Sequence, residues 1–158
     1  DPLMPHDLQH LIVEAQLGLK YGIFGQLAAG GTAGTFEVVI KNDDASRKLV
    51  RVRSHVRTRG KKMLNEGRDD CAQSERATYI CLQEWLARSQ STEQRKLSKT
   101  MAEQAKQVRG VGSNNELRAL DQRMDEICKH MDELSSRWSS LRIGESIAVR
   151  WPDLAIVS

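Results

Sequence analysis

Aromatic residues are scarce, at 4% of the 158-residue chain. A core must therefore be built from Leu, Ile, Val, Met and Ala. Only three prolines interrupt the chain, Pro2, Pro5 and Pro152, and most of the 11 glycines fall in a few places. That distribution argues against wholesale disorder. No run approaches the roughly 18 to 20 apolar residues that a membrane-spanning helix needs. The three cysteines, Cys71, Cys81 and Cys128, form no C-x-x-C and have no histidines at zinc-ligand intervals. They read as buried or partly buried thiols in a reducing compartment. No signal-peptide progression is visible, the Asp1-Pro2 start fits a trimmed chain, and a cytoplasmic location is expected.

What is present predicts a single α+β domain over residues 1–158. Residues 6–20 set Leu8, Leu11, Ile12, Ala15 and Leu19 at helical spacing behind Pro5. Residues 25–34 hold four glycines in ten positions and read as a flexible linker, completing a 1–34 segment of N-terminal helix and Gly-rich linker. Residues 35–62 read as a basic β-hairpin. Phe36, Val38 and Ile40 alternate, a turn follows at Asn42–Ser46, and a long strand runs from Arg47 to about Thr58. With Lys41 facing Arg47, Phe36 meets Val52 and Val38 meets Val50, so the apolar face is kept on both strands.

From about Ser74 the period becomes helical. Residues 74–89 carry the broad apolar surface of a core helix. Ser91 with Gln94, and Ser113 with Glu116, have capping-box spacing, opening helices over about 92–108 and from 113 to about Arg142, with a stop at Gly144. Residues 71–143 are thus expected to form a helical hairpin or coiled coil. Ile147, Val149 and Trp151 then alternate as a short C-terminal strand within 145–158, expected to join the hairpin's sheet, with Leu154–Val157 as a second candidate strand.

In the last helix Leu117, Leu120, Met124, Ile127, Met131, Leu134, Trp138 and Leu141 follow each other at alternating spacings of three and four. That is an unbroken a/d stripe. It predicts an oligomerisation seam, with the same helix of a second chain as partner and a homodimer as the product. An internal hairpin with residues 92–108 is the alternative.

Charge is concentrated in one place. Residues 47–62 contain Arg47, Lys48, Arg51, Arg53, Arg57, Arg59, Lys61 and Lys62, and no acid, a charge of +8 in 16 residues. Subtracting this from the chain's +3 leaves −5 on the other 142 residues. Read as a strand, the segment turns Arg51, Arg53, His55, Arg57 and Arg59 to one face, spaced by about 6.6 to 6.8 Å. Such a row repels itself, and a polyanion relieves the repulsion and releases counterions. Edge protection of a sheet needs fewer charges, usually Lys. Neutralisation by the flanking Asp43, Asp44, Asp69 and Asp70 is the other competing account.

Other signals are weaker. Residues 25–32, GQLAAGGT, match a phosphate-binding loop except for its lysine, which is Gly31, and the expected strand-loop-helix context is missing. His6 and His10 are four apart and could share a helix face as ligands, yet no third ligand stands nearby in the sequence, so surface histidines and no metal are expected. Neither a catalytic constellation nor a cofactor motif is found. The predicted function is non-enzymatic, largely sequence-independent binding of RNA or DNA by Arg47, Lys48, Arg51, Arg53, His55, Arg57, Arg59, Lys61 and Lys62. Size and charge layout fit a small viral, phage or plasmid-borne protein. The rival expectation is an assembly or adaptor protein that uses the heptad helix and docks the basic strand on an acidic protein.

Overall fold

A computed structural model describes residues 4–33, 55, 56, 58–63 and 65–157. Six helices and a small two-stranded sheet follow one another along them. They are α1 (His6–Leu17), α2 (Ile23–Ala28), α3 (helical residues 55, 56, 58–63, 65 and 66), α4 (Arg68–Arg88), α5 (Thr92–Val111) and α6 (Asn114–Ser140). The strands are β1 (Ala148–Val149) and β2 (Ile156–Val157).

The helix boundaries follow local chemistry. α1 stops at Gly18, whose left-handed φ of 65° lets the amides turn back on the last carbonyls. Ser91 accepts a hydrogen bond from the Gln94 amide at the start of α5. Ser113 and Glu116 form a complete capping box for α6, each side chain meeting the other's backbone amide. These caps fix the two short connections, so α4, α5 and α6 run up, down and up. Across them Gln83 donates to Ser98, Arg76 pairs with Glu116, and the Trp85 indole donates to Asp132 at 2.7 Å.

The heptad stripe of α6 is buried as its periodicity requires, but its partner is different from either expectation. Leu120, Met124, Ile127, Met131 and Leu134 pack into one core with Ile12 and Val13 of α1 and Ile80, Cys81, Trp85 and Leu86 of α4. Leu117 and Trp138 border that core, and Leu141 is half-buried. α5 lies mainly against α4 instead. The physical reason is competition: α1 and α4 of the same chain are held next to α6 at high effective concentration, and they remove the seam from solvent. Within the single chain the seam is thus covered by α1 and α4. A helical hairpin does lie within 71–143, but it is α4 with α5 and not the expected pairing of residues 92–108 with the heptad helix.

Two further expectations change. Ile23–Ala28 is a helix where a glycine-rich linker was expected, and Gly25 and Gln26 are buried within it. His55, Val56 and Thr58 are helical, so the strand drawn from Arg47 to Thr58 does not extend through them. The remainder of the basic hairpin, residues 35–54, lies outside the described residues. At the C-terminus β1 pairs antiparallel with β2, Ala148 opposite Val157 and Val149 opposite Ile156, a two-stranded sheet among the described residues; the sheet of the basic hairpin that it was expected to join lies outside them. A cis Trp151–Pro152 bond lies in the turn between β1 and β2, where Arg150 pairs with Asp153. Trp151 stacks on Phe24 of α2 at a ring separation of 6.4 Å, which ties this pair of strands to the helices. None of the described helices is long and apolar enough to cross a membrane.

Ile127 is fully buried at the centre of the α1–α4–α6 core. Ile127→Asp should destabilise the single chain by about 3 to 5 kcal/mol, the range for an uncompensated buried charge. Urea unfolding followed by circular dichroism, with sedimentation of the wild type as a monomer at micromolar concentration, checks this. A variant of unchanged stability that turns a dimer into a monomer would return the seam to a second chain.

Candidate functional site

The described part of the basic segment is an amphipathic helix. On α3, Gly60 and Met63 are buried against the loop after α2, where a side chain at Gly60 would meet the Thr32 hydroxyl at 2.8 Å. His55, Arg59 and Lys62 stand at i, i+4 and i+7, which is one face of a helix. They are exposed and, with Gly30, Val56 and Thr58, line an open depression of about 540 Å³. Lys61 is exposed beside them. Arg59 reaches the Ala29 carbonyl at 3.4 Å, and Lys62 lies 3.7 Å from Glu66 one turn on. Arg47, Lys48, Arg51, Arg53 and Arg57 lie outside the described residues. The extended row is thus replaced, for His55 and Arg59, by positions one helical turn apart.

A second constellation is built where α1 meets α4. His6, His10 and Glu14 recur every four residues on α1, which carries them along one side of the helix. Glu14 is completely buried. Its carboxylate accepts from the Ile23 amide at 2.9 Å, the Phe24 amide at 2.8 Å and the Ser74 hydroxyl at 2.8 Å. The first two are orphan donors in the first turn of α2, so Glu14 caps that helix from a distance. Gly22 is required there, because a Cβ would lie 2.4 Å from the Glu14 carboxyl carbon. Burial pushes the Glu14 pKa up, and the three hydrogen bonds pull part of that shift back.

Ser74 connects this carboxylate to His10. Its hydroxyl lies 2.8 Å from His10 Nδ1, with the Thr78 hydroxyl at 3.3 Å from the same nitrogen. The Ser74 proton is directed at Glu14, so its oxygen offers a lone pair to the imidazole. With Glu14 ionised, this arrangement suits a His10 ring that donates from Nδ1 to Ser74 and keeps the lone pair on Nε2. That second nitrogen is buried and has no hydrogen-bond partner among the described residues. Glu75 Oε2 lies 3.6 Å away and the His6 ring meets the His10 ring edge-on at 4.5 Å. Desolvation is the chief cause that lowers the His10 pKa, opposed mainly by the Glu75 charge.

His10 is thus no surface histidine, being 2% exposed, while His6 is exposed as expected. Sequence reasoning found the His6–His10 spacing but missed Ser74 and Glu75. They are far away along the chain, and only the antiparallel packing of α1 on α4 brings them together. The cysteines are free thiols: Cys81 and Cys128 are buried and Cys71 half-buried, as their spacing implied. Burial raises the Cys128 thiol to about 11 and shifts Cys81 the same way, so neither is a reactive thiolate at neutral pH. Comparison of the chain with protein-family models, curated proteins and solved structures gives no match.

Because the folded-state pKa of Glu14 lies above its ordinary value near 4.5, the protonated form favours the fold. This contribution is fully present below the unfolded pKa and is lost as pH rises through the folded one. Glu14→Gln abolishes the titration. The stability of the wild type relative to Glu14→Gln, measured by urea unfolding, should therefore decline as pH rises above about 4.5. A constant difference would mean that the carboxyl titrates alike in both states.

Proposed function

We propose that the chain binds nucleic acid through phosphate contacts made by its basic segment, residues 47–62, without enzymatic chemistry. The observation that carries this reading is a charge of +8 in 16 residues with no acid among them, on a chain that is otherwise net acidic. Internal neutralisation is weak where it can be followed. Lys62 and Glu66 are both solvent-exposed at 3.7 Å, and such pairs contribute little. Asp70, one of the flanking acids, accepts the Tyr21 amide at 2.8 Å with one carboxylate oxygen.

The exposed face of His55, Arg59 and Lys62 supports the same reading. Cationic groups on successive helical turns follow a backbone of regularly spaced phosphates, and arginine's planar fork matches their oxygens. Contacts of this kind position a protein on nucleic acid and carry no base information. The absence of aromatic residues from 47–62 fits that preference for backbone over bases. An adaptor built on a free heptad helix has less in its favour, because the seam of α6 is covered by α1 and α4.

The test is a fluorescence-anisotropy titration with short single- and double-stranded oligonucleotides of unrelated sequence. With about five phosphates neutralised, the log–log salt slope should be roughly −3.5 for single strands and −4.5 for duplex DNA. Arg59→Glu with Lys62→Glu lies on the exposed face of α3, so the circular dichroism should be unchanged. Affinity should fall alike for every sequence, and the slope should flatten by about 1.4 on single strands. Equal affinity of variant and wild type would remove nucleic acid as the partner and favour an acidic protein.

A further inference from the structure

Among the described residues, one cluster of side chains is arranged to hold a cation, and the nucleic-acid reading makes no use of it. His6 and His10 of α1 and Glu75 of α4 bring three ligand atoms within 4.8 Å of one another. The anchor of the cluster is the buried Nε2 of His10, which has no hydrogen-bond partner among those residues. Buried polar nitrogens are rarely left so, and each instance asks for a missing partner. We propose that His6, His10 and Glu75 form a binding site for a divalent transition-metal ion of the zinc class.

Four features support it. The 2.8 Å contact of His10 Nδ1 with Ser74 occupies that nitrogen and leaves Nε2 for the cluster; with Nδ1 as the donor, this is the tautomer that a metal requires. Behind it, Ser74 is itself held by the Glu14 carboxylate, giving the ligating imidazole a hydrogen-bonded outer shell of the kind that fixes ring orientation. The distances are suitable. Tetrahedral zinc with bonds of about 2.0 to 2.1 Å sets its ligand atoms roughly 3.3 to 3.4 Å apart. His10 Nε2 and Glu75 Oε2 are already at 3.6 Å, and the rest of the spread closes by rotation of exposed His6 and the 64%-exposed Glu75. Two imidazoles and a carboxylate suit zinc and its neighbours, whereas magnesium and calcium favour all-oxygen sets. Because two of the three ligands stand at the surface, the fourth position is open to water, the arrangement of a three-ligand rather than a closed structural site.

The full-length chain, freed of metal with a chelator, is titrated with Co²⁺ and Zn²⁺ by calorimetry and visible absorption. One equivalent should bind, with the Co²⁺ complex showing the intense visible bands of a four-coordinate ion. His6→Gln and Glu75→Gln alter exposed side chains, so the helix content should be retained while each lowers affinity at least tenfold. Ser74→Ala should lower it by about 10- to 100-fold through loss of the outer-shell hydrogen bond. Imidazole ¹⁵N shifts of the metal-free chain should show His10 protonated on Nδ1. No binding, or binding unchanged by both His6→Gln and Glu75→Gln, would overturn the site, the second result assigning the ion to other groups such as the Cys71 thiol. A His10 proton on Nε2 would also contradict it.

Discussion

The fully buried carboxylate of Glu14 is the contact on which the N-terminal half of the structure turns. It sits on α1, accepts two amides from α2 and the Ser74 hydroxyl from α4, and so joins three elements at one point. Desolvating a carboxylate is expensive, and without three donors the charge would be strongly unfavourable. Its demands are geometric as well. Gly22 must lack a side chain, α2 must begin at Ile23, and Ser74 must face α1. A six-residue helix has little stability of its own, so α2 depends on this external cap and on its packing.

α1 also packs against α6, and apolar residues of both helices share the main core. Ile12 and Val13, at the centre of the chain's main core, contact the stripe that runs from Leu120 to Leu134. α1 therefore adds to this shared apolar core a set of buried polar contacts with α4. The apolar contact supplies most of the driving force, in proportion to area removed from water. The polar one adds direction, because hydrogen bonds from Glu14 and His10 are satisfied in only one register of α1 on α4. His10 gains its buried, oriented ring from that register, and the candidate metal ligands are brought together as a consequence.

Much of the helical architecture was legible. Ser91, Ser113 and Glu116 announced helix starts through side chains that satisfy local amides, and those interactions need no tertiary context. The a/d stripe of α6 showed which residues would be buried but could not show against what. Its partner α1 is disguised by Gln9, His10 and Glu14, polar residues that are buried all the same. The described end of the basic segment, from His55 on, departs from the strand reading for a different reason. Val52, Val56 and Thr58 alternate as a strand would, yet Val56, Gly60 and Met63 also satisfy i, i+4 and i+7, and packing on the loop at Thr32 favours the helical solution. Short β-branched runs leave that choice to tertiary contacts. The site at Glu75 had no local signature, since its residues meet only after α1 has docked on α4.

One buried carboxylate fastens α2 to the α1–α4 pair. Amide hydrogen exchange of Ile23 and Phe24 measures that directly, because both N–H groups donate to Glu14 and to nothing else in the α2 turn. Both amides should exchange only through the same large-scale opening that exposes the amides in the middle of α1 and α4. Exchange of Ile23 and Phe24 at the rate of an open surface turn, with the centres of α1 and α4 still protected, would contradict it.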